Sequence, residues 1–119
     1  MTADILIQNG RVLDPARGID QSAPVAVKGR RIIPWEEGME AKTTIDASGC
    51  LVTPGLIDFH AHIYERGTDS GANPDLAMLP YGVTTVVDAG SSGVSTYRSF
   101  LDRLALCRIK TKFFLHISP

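Results

Sequence analysis

The feature that most constrains this chain is a pair of histidines, His60 and His62, at the end of the apolar segment VTPGLIDFHAHI, residues 52–63. The Pro-Gly step before the apolar run predicts an abrupt entry into a β-strand. Successive side chains of a strand point to opposite faces. Regular alternation therefore predicts one face made of Leu56, Asp58, His60 and His62. It predicts an apolar opposite face made of Ile57, Phe59, Ala61 and Ile63.

Two imidazoles spaced in this way favour metal binding. Neutral imidazole is the commonest protein ligand for zinc-like ions, and two rings on one strand face can reach a single ion at about 2.0–2.1 Å. The alternative is an amphipathic surface strand, which would also have a polar face. Such a face usually carries Lys, Glu or Thr, whereas this one carries Asp58, His60 and His62. The sequence therefore predicts His60 and His62 as metal ligands.

The same segment closely resembles a known motif. Its Pro-Gly-Leu-Ile-Asp-x-His-x-His core is similar to the first barrel strand of the amidohydrolase superfamily, metal-dependent hydrolases that include dihydroorotases, hydantoinases, deacetylases and deaminases. Three further segments resemble the opening strand pair, the approach to the barrel and the second barrel strand of that family: residues 4–12, 45–49 and 82–90. Residues 67–71 and 79–82 resemble the dihydroorotase-like amidohydrolase/deacetylase branch. The resemblance covers nearly the whole chain.

The N-terminal part, residues 1–53, reads as a small β-rich, β-sandwich-like lobe. Short apolar runs are separated there by turns, and we expect hairpin turns at Asn9-Gly10 and at residues 28–30, because glycine accepts the positive φ that such turns require. A scaffold beside an active site and a free-standing β module both fit this region. No residue in it indicates chemistry.

The C-terminal part, residues 54–119, alternates strands and helices. The elements expected after the histidine strand are a short helix opened by Asn73, a strand at 84–87, a helix at 96–107 capped by Ser95, and a strand at 113–117. This order predicts a parallel α/β architecture. The resemblance narrows it to the start of a (β/α)8 TIM-type barrel. Such a barrel takes about 250 residues, so this part supplies about three strands of a truncated one.

The resemblance also implies a reaction. It predicts hydrolysis of small-molecule amide, ester or cyclic amide substrates by metal-activated water, with Zn²⁺ or another divalent metal as one or two ions, the more buried ion being held by His60 and His62. The family completes its site with residues on later strands, so the general base and remaining ligands are expected beyond residue 119. The isolated chain is therefore expected to be inactive. A different class of function stays open, namely a non-catalytic remnant or assembly module with unpaired strand edges.

Several other residues are weaker candidates for a role in the site. Asp58 is expected to orient or support the metal site from below. Asp88, at the end of the second strand, is favoured as a turn cap over a substrate contact. Residues 90–93 read as an ordinary turn after a strand, and His116 is favoured as a core or supporting histidine over a catalytic one. The loop at 64–71 is either a lid or a mobile, solvated segment.

Composition excludes several other classes of function. With a net charge of −1 and dispersed Lys and Arg, the sequence lacks the basic cluster that is typical of a nucleic-acid-binding surface. We also expect no membrane partner, because no apolar run approaches the ~18 residues of a membrane span, and the expected location is the cytoplasm. Cys50 and Cys107 are expected to be reduced and structural, although Cys50 is weighed as a third metal ligand. A homo-oligomer is an open alternative.

Overall fold

The computed structural model describes residues 2–118. The chain divides into two compact units, of which the first ends at Pro54 and the second begins at Gly55. In the described residues, no helix is long and apolar enough to cross a membrane.

The N-terminal unit is built from two mixed β-sheets. Its strands are β1 (Ala3–Gln8), β2 (Arg11–Asp14), β3 (Ile19–Ser22), β4 (Val25–Lys28), β5 (Arg31–Ile33), β6 (Ala41–Asp46) and β7 (Leu51–Val52). One sheet has the order β5-β4-β1-β6 and the other has the order β3-β2-β7. In the first sheet β4 is antiparallel to β1, whereas β6 is parallel to it. A small core of Ala3, Leu6 and Ala26 lies in this sheet.

The two expected hairpin turns have different outcomes. Strands β4 and β5 form a hairpin with Lys28 paired to Arg31, and Gly29 takes a φ of 60° in the turn, as predicted. The hairpin expected at Asn9-Gly10 is wrong. Asn9 does adopt a φ of 65°, but β1 and β2 belong to different sheets. Each pairs instead with a strand that follows much later in the chain, so the turn carries the chain from one sheet to the other.

The C-terminal unit contains a parallel three-stranded sheet of order β10-β9-β8. Its elements are β8 (Leu56–Ala61), α1 (Pro74–Ala77), a 3-10 turn (Leu79–Tyr81), β9 (Val83–Ser92), α2 (Tyr97–Leu104) and β10 (Lys110–Leu115). Helix α2 buries Phe100 and Leu104 against the sheet, where they join a core that includes Ala61 and Val86. Parallel pairing requires a connection that crosses over the sheet, which explains why the helices lie between strands in sequence.

Local signals placed these elements with small errors. Asn73 caps α1 as expected, because its side chain accepts a hydrogen bond from the Asp75 amide. Helix α2 is shorter than predicted, and its N-cap is Thr96 rather than Ser95. The third strand begins at Lys110 rather than at residue 113, because pairing with β9 extends it toward the N-terminus.

Candidate metal centre

The two histidines of the motif lie side by side at the C-terminal end of β8. The centroids of their imidazole rings are 5.9 Å apart, and the ring planes are inclined at 73°. Because a zinc–imidazole bond is about 2.0–2.1 Å long, two rings that share one tetrahedral ion have centroids about 5.2 Å apart. The observed separation is somewhat wider, so a shared ion requires a small rotation of the rings. The side chains of His60 and His62 are both exposed, so a metal ion and its other ligands could reach them.

The strand that carries them is not regular. Asp58 pairs with Val86 and Ala61 pairs with Asp88, so the residues at 59 and 60 face a single residue of β9. This two-against-one pairing is the pattern of a β-bulge, which breaks the alternation of faces.

The bulge changes the position of Asp58. Paired residues of parallel strands point to the same side, and Val86 and Ala61 belong to the core. Asp58 therefore lies on the core side, and the expectation that it shares a face with both histidines is wrong. Its carboxylate accepts a hydrogen bond of 3.0 Å from the His60 amide. Asp58 thus supports the backbone of the candidate ligand His60.

His62 is held by both its ring and its backbone. Its Nδ1 atom lies 2.9 Å from the Oγ of Ser91 on the neighbouring strand β9. Its carbonyl accepts a hydrogen bond of 3.0 Å from the Ala72 amide. The second ring nitrogen, Nε2, is left for another partner. Sequence reasoning did not identify Ser91 as a partner of His62, and the only signal was a hydroxyl residue near the end of the adjacent strand.

Asp88 is fully buried, and its side chain accepts hydrogen bonds from three backbone amides. Its Oδ1 accepts from the amides of Gly90 and Ser91 at 2.9 and 2.6 Å. Both residues belong to β9, which continues to Ser92, so the expectation that Asp88 ends the strand and caps a turn at 90–93 is wrong. Its Oδ2 accepts from the Ile63 amide at 2.8 Å, a link across the sheet that the sequence did not predict. The two oxygens therefore join the end of β8 to the end of β9.

His116 lies just beyond β10, beside the same edge. Its amide donates to the Ser92 carbonyl at 2.9 Å, and its side chain is exposed. Its ring lies against Gly90, where an added Cβ would be 3.1 Å from the imidazole Cδ2. Gly90 also has a φ of 109°, so only glycine fits here without strain. The preference for a supporting over a catalytic role of His116 stays a prediction.

The loop after His62 is folded back on itself. The amides of Gly67 and Thr68 donate to the Tyr64 carbonyl, and Tyr64 packs against Phe100 with ring centroids 4.7 Å apart. A Cβ added to Gly67 would collide with the Tyr64 ring, and one added to Gly71 would collide with the Tyr64 carbonyl. The loop is therefore hydrogen-bonded around a buried tyrosine, whereas Arg66, Gly67, Asp69 and Ser70 are exposed. Its role as a lid or as a solvated segment stays a prediction.

Both cysteines are free thiols, Cys50 exposed and Cys107 partly buried. Cys50 belongs to the N-terminal unit, where its Sγ contacts the Ser48 carbonyl at 3.8 Å. Burial raises the pKa of the Cys107 thiol, and the nearby negative charges of Asp75 and Glu65 raise it further. Among residues 2–118, no three His, Cys, Asp or Glu side chains are arranged to hold a metal ion. The described part of the chain brings together two imidazoles, those of His60 and His62.

Comparison with known proteins gives the class to which this arrangement belongs. A curated dihydroorotase from Streptococcus pneumoniae serotype 4 is 40% identical over 124 aligned positions, which cover 91% of this chain. A crystal structure of a dihydroorotase matches with a TM-score of 0.80 and 29% identity over 93% of this chain and 30% of that one. The zinc-complexed N-acyl-D-glutamate deacylase from Bordetella bronchiseptica matches with a TM-score of 0.60 and 30% identity over 76% of this chain and 19% of that one. No family model matches the chain.

The chain is much shorter than these relatives. It spans 21% of one curated dihydroorotase and 28% of the pneumococcal one. The chain belongs to the amidohydrolase superfamily. Within that superfamily it is dihydroorotase-like and corresponds to an N-terminal portion.

Proposed function

We propose that this chain supplies the first metal-binding strand of a metal-dependent hydrolase that acts on amide or cyclic amide bonds. The observation that carries the proposal is the His60–His62 pair, whose ring centroids are 5.9 Å apart at the C-terminal end of a parallel strand. Active sites of (β/α)8 barrels lie at that end of the strands. The parallel sheet β8, β9 and β10 would then be the start of such a barrel.

His60 and His62 are the residues that would hold the ion. Neutral imidazole nitrogens suit zinc and other divalent first-row metals, and a bound ion of this kind supplies a Lewis acid and an activated water for hydrolysis. The two imidazoles do not fill a four-coordinate site, so residues beyond this chain would complete it. We expect the general base among those same residues.

The chain's own residues prepare the ligands. The Asp58 carboxylate holds the amide of His60, and Ser91 contacts one ring nitrogen of His62. A hydroxyl that accepts a hydrogen bond from Nδ1–H leaves Nε2 unprotonated, which is the form that can ligate a metal. The preferred substrate class is a cyclic amide of the dihydroorotate type, on the strength of the similarity to dihydroorotases.

The test uses a longer protein that contains this sequence and the remaining strands. Hydrolysis of dihydroorotate, a hydantoin and N-acyl amino acids is measured before and after dialysis against a chelator. We expect turnover of at least one substrate, its loss on chelation, and its return with Zn²⁺. The double variant His60→Ala/His62→Ala should be inactive, whereas His116→Ala should retain turnover. Equal turnover in the double variant and the parent would contradict the proposal.

The alternative, a non-catalytic assembly module, is favoured by one observation. Strands β8 and β10 are the edges of their sheet, and unpaired edges are available for association. The same substrate panel applied to the 119-residue chain separates the two functions. We expect no turnover by that chain alone, and turnover restored by the remaining strands supports the hydrolase.

A further inference from the structure

We propose that Asp88 is a positioning residue for the candidate metal ligands, because its carboxylate locks the end of β8 to the end of β9 and thereby fixes His62. This inference rests on the proposed function for the role of the imidazoles. Asp88 lies three residues before Ser91 on β9, and it acts on the two imidazoles indirectly, through the backbone amides of Ile63 and Ser91.

The two carboxylate oxygens of Asp88 accept hydrogen bonds from different strands. Oδ2 accepts a hydrogen bond from the amide of Ile63, the residue directly after His62 on the side of β8. Oδ1 accepts from the side of β9, at the amides of Gly90 and Ser91. A single buried carboxyl group therefore fixes the residue next to the candidate ligand and the residue that contacts its ring.

The hydrogen bonds of Asp88 and Ser91 meet at His62. Ser91, whose amide is held by Asp88, contacts His62 Nδ1 at 2.9 Å. The His62 carbonyl is held separately by the Ala72 amide at 3.0 Å. The ring, the carbonyl and the following amide of His62 are thus each restrained by a different group. Release of Asp88 would loosen two of these three restraints at once.

The burial and the two acceptor oxygens of the Asp88 side chain determine which residue fits at position 88. The side chain is fully buried, so a carboxylate there needs the three amide donors to offset its desolvation. An asparagine has only one acceptor oxygen, which can satisfy the Ile63 amide or the Gly90 and Ser91 amides, but not both sides. Asp88→Asn therefore cuts the link between β8 and β9 with almost no change in side-chain volume.

The experiment measures the tautomer and mobility of His62 in the metal-free 119-residue chain. Long-range ¹⁵N–¹H spectra distinguish a proton on Nδ1 from one on Nε2. We expect the parent chain to hold a single His62 tautomer with Nδ1–H, and Asp88→Asn to show a mixture of both. Zinc affinity, measured by competition with a chelating dye, should fall about 10–100-fold in Asp88→Asn, as is common when a supporting partner of a ligand is lost.

A matched control separates positioning from loss of stability. Asp75 is a second carboxylate of the same unit that accepts hydrogen bonds across elements, from the Arg108 and Ile109 amides. Asp75→Asn should lower stability but leave the His62 tautomer and the zinc affinity unchanged. A folded Asp88→Asn chain with the parent's tautomer and affinity would overturn the inference.

If Asp88→Asn does not fold, the parent chain and Ser91→Ala still decide the question. The inference then requires slow hydrogen exchange of the Ile63 and Ser91 amides in the parent, together with a single His62 tautomer that becomes mixed in Ser91→Ala. Fast exchange of either amide, or a mixed tautomer in the parent, overturns it. The tautomer is read without metal, so an absence of zinc binding by the parent would count against the proposed function and not against this network.

Discussion

The Nδ1 atom of His62 lies 2.9 Å from the Oγ atom of Ser91, which connects the end of β8 to the end of the neighbouring strand β9. Metal-bound imidazoles almost always give their second ring nitrogen to a fixed partner, which sets the tautomer and the ring orientation. The contact therefore has the form that a pre-oriented ligand requires. It also gives Ser91, a residue of β9, a role in holding the ring of His62.

Ser91→Ala should weaken zinc binding by about tenfold, because loss of such a partner typically lowers metal affinity by about 10–100-fold and Ser91 is a neutral one. The measurement is a competition titration of the 119-residue chain with a zinc-binding dye. Ser95→Ala, at an exposed position after the strand, is the matched control and should bind zinc as the parent does. Equal affinities for Ser91→Ala and the parent would show that the hydroxyl does not orient His62.

Asp75→Ala should destabilise the C-terminal unit by about 1–3 kcal/mol, since two amide donors lose their acceptor. The carboxylate of Asp75, in the first turn of α1, accepts from the Arg108 and Ile109 amides just before β10. Urea unfolding gives the change in free energy, and hydrogen exchange gives its location. Faster exchange should be centred on these two amides. Asp69→Ala, at an exposed loop position, should leave both measurements unchanged.

Gly71→Ala should destabilise the loop after His62 by about 1–3 kcal/mol, the usual range for overpacking. An added Cβ would collide with the Tyr64 carbonyl and the Glu65 amide, both of which are backbone atoms that cannot move aside freely. Thermal unfolding of Gly71→Ala is compared with that of Ser70→Ala, an exposed neighbour. A melting temperature equal to that of the control would mean that the loop is looser than its packing around Tyr64 implies.

The Asp46 carboxylate gives a pH-dependent prediction in the N-terminal unit. The Ser48 hydroxyl, then the Asn9 side-chain amide and the Ser48 backbone amide, lower the pKa of Asp46 below its ordinary value of 3.8. A lowered pKa in the folded state stabilises the fold above the unfolded value, and that contribution is lost as the pH falls through the folded value. Ser48→Ala should move the Asp46 pKa upward, and carboxyl ¹³C shifts over pH 2–6 measure it. An unchanged value would refute the assignment of Ser48 as the main cause.

Local sequence signals predicted the features that depend on a few neighbouring residues. The hairpin at Gly29 and the cap at Asn73 are both set by chemistry within three residues, and both are as expected. The turn at Asn9 shows where such signals end. Its φ of 65° is local, but each of the two strands that it joins has a parallel partner more than thirty residues away.

The candidate site shows the same division. The motif predicted two neighbouring imidazoles, and their rings are 5.9 Å apart. Alternation failed at Asp58, because the bulge depends on the register between β8 and β9 and not on the sequence of β8 alone. Ser91 and the link from Asp88 to Ile63 were missed for the same reason, since both connect strands about 25 to 29 residues apart in sequence.

The most direct test of a shared metal site is a zinc titration of the ¹⁵N-histidine-labelled chain, in which each imidazole is followed separately. We expect the ring nitrogens of His60 and His62 to shift together with one ion per chain. His60→Ala should remove the response of His62, and His116→Ala should leave it intact. Zinc that leaves both rings unchanged, or that shifts His62 equally well in His60→Ala, would contradict a shared metal site.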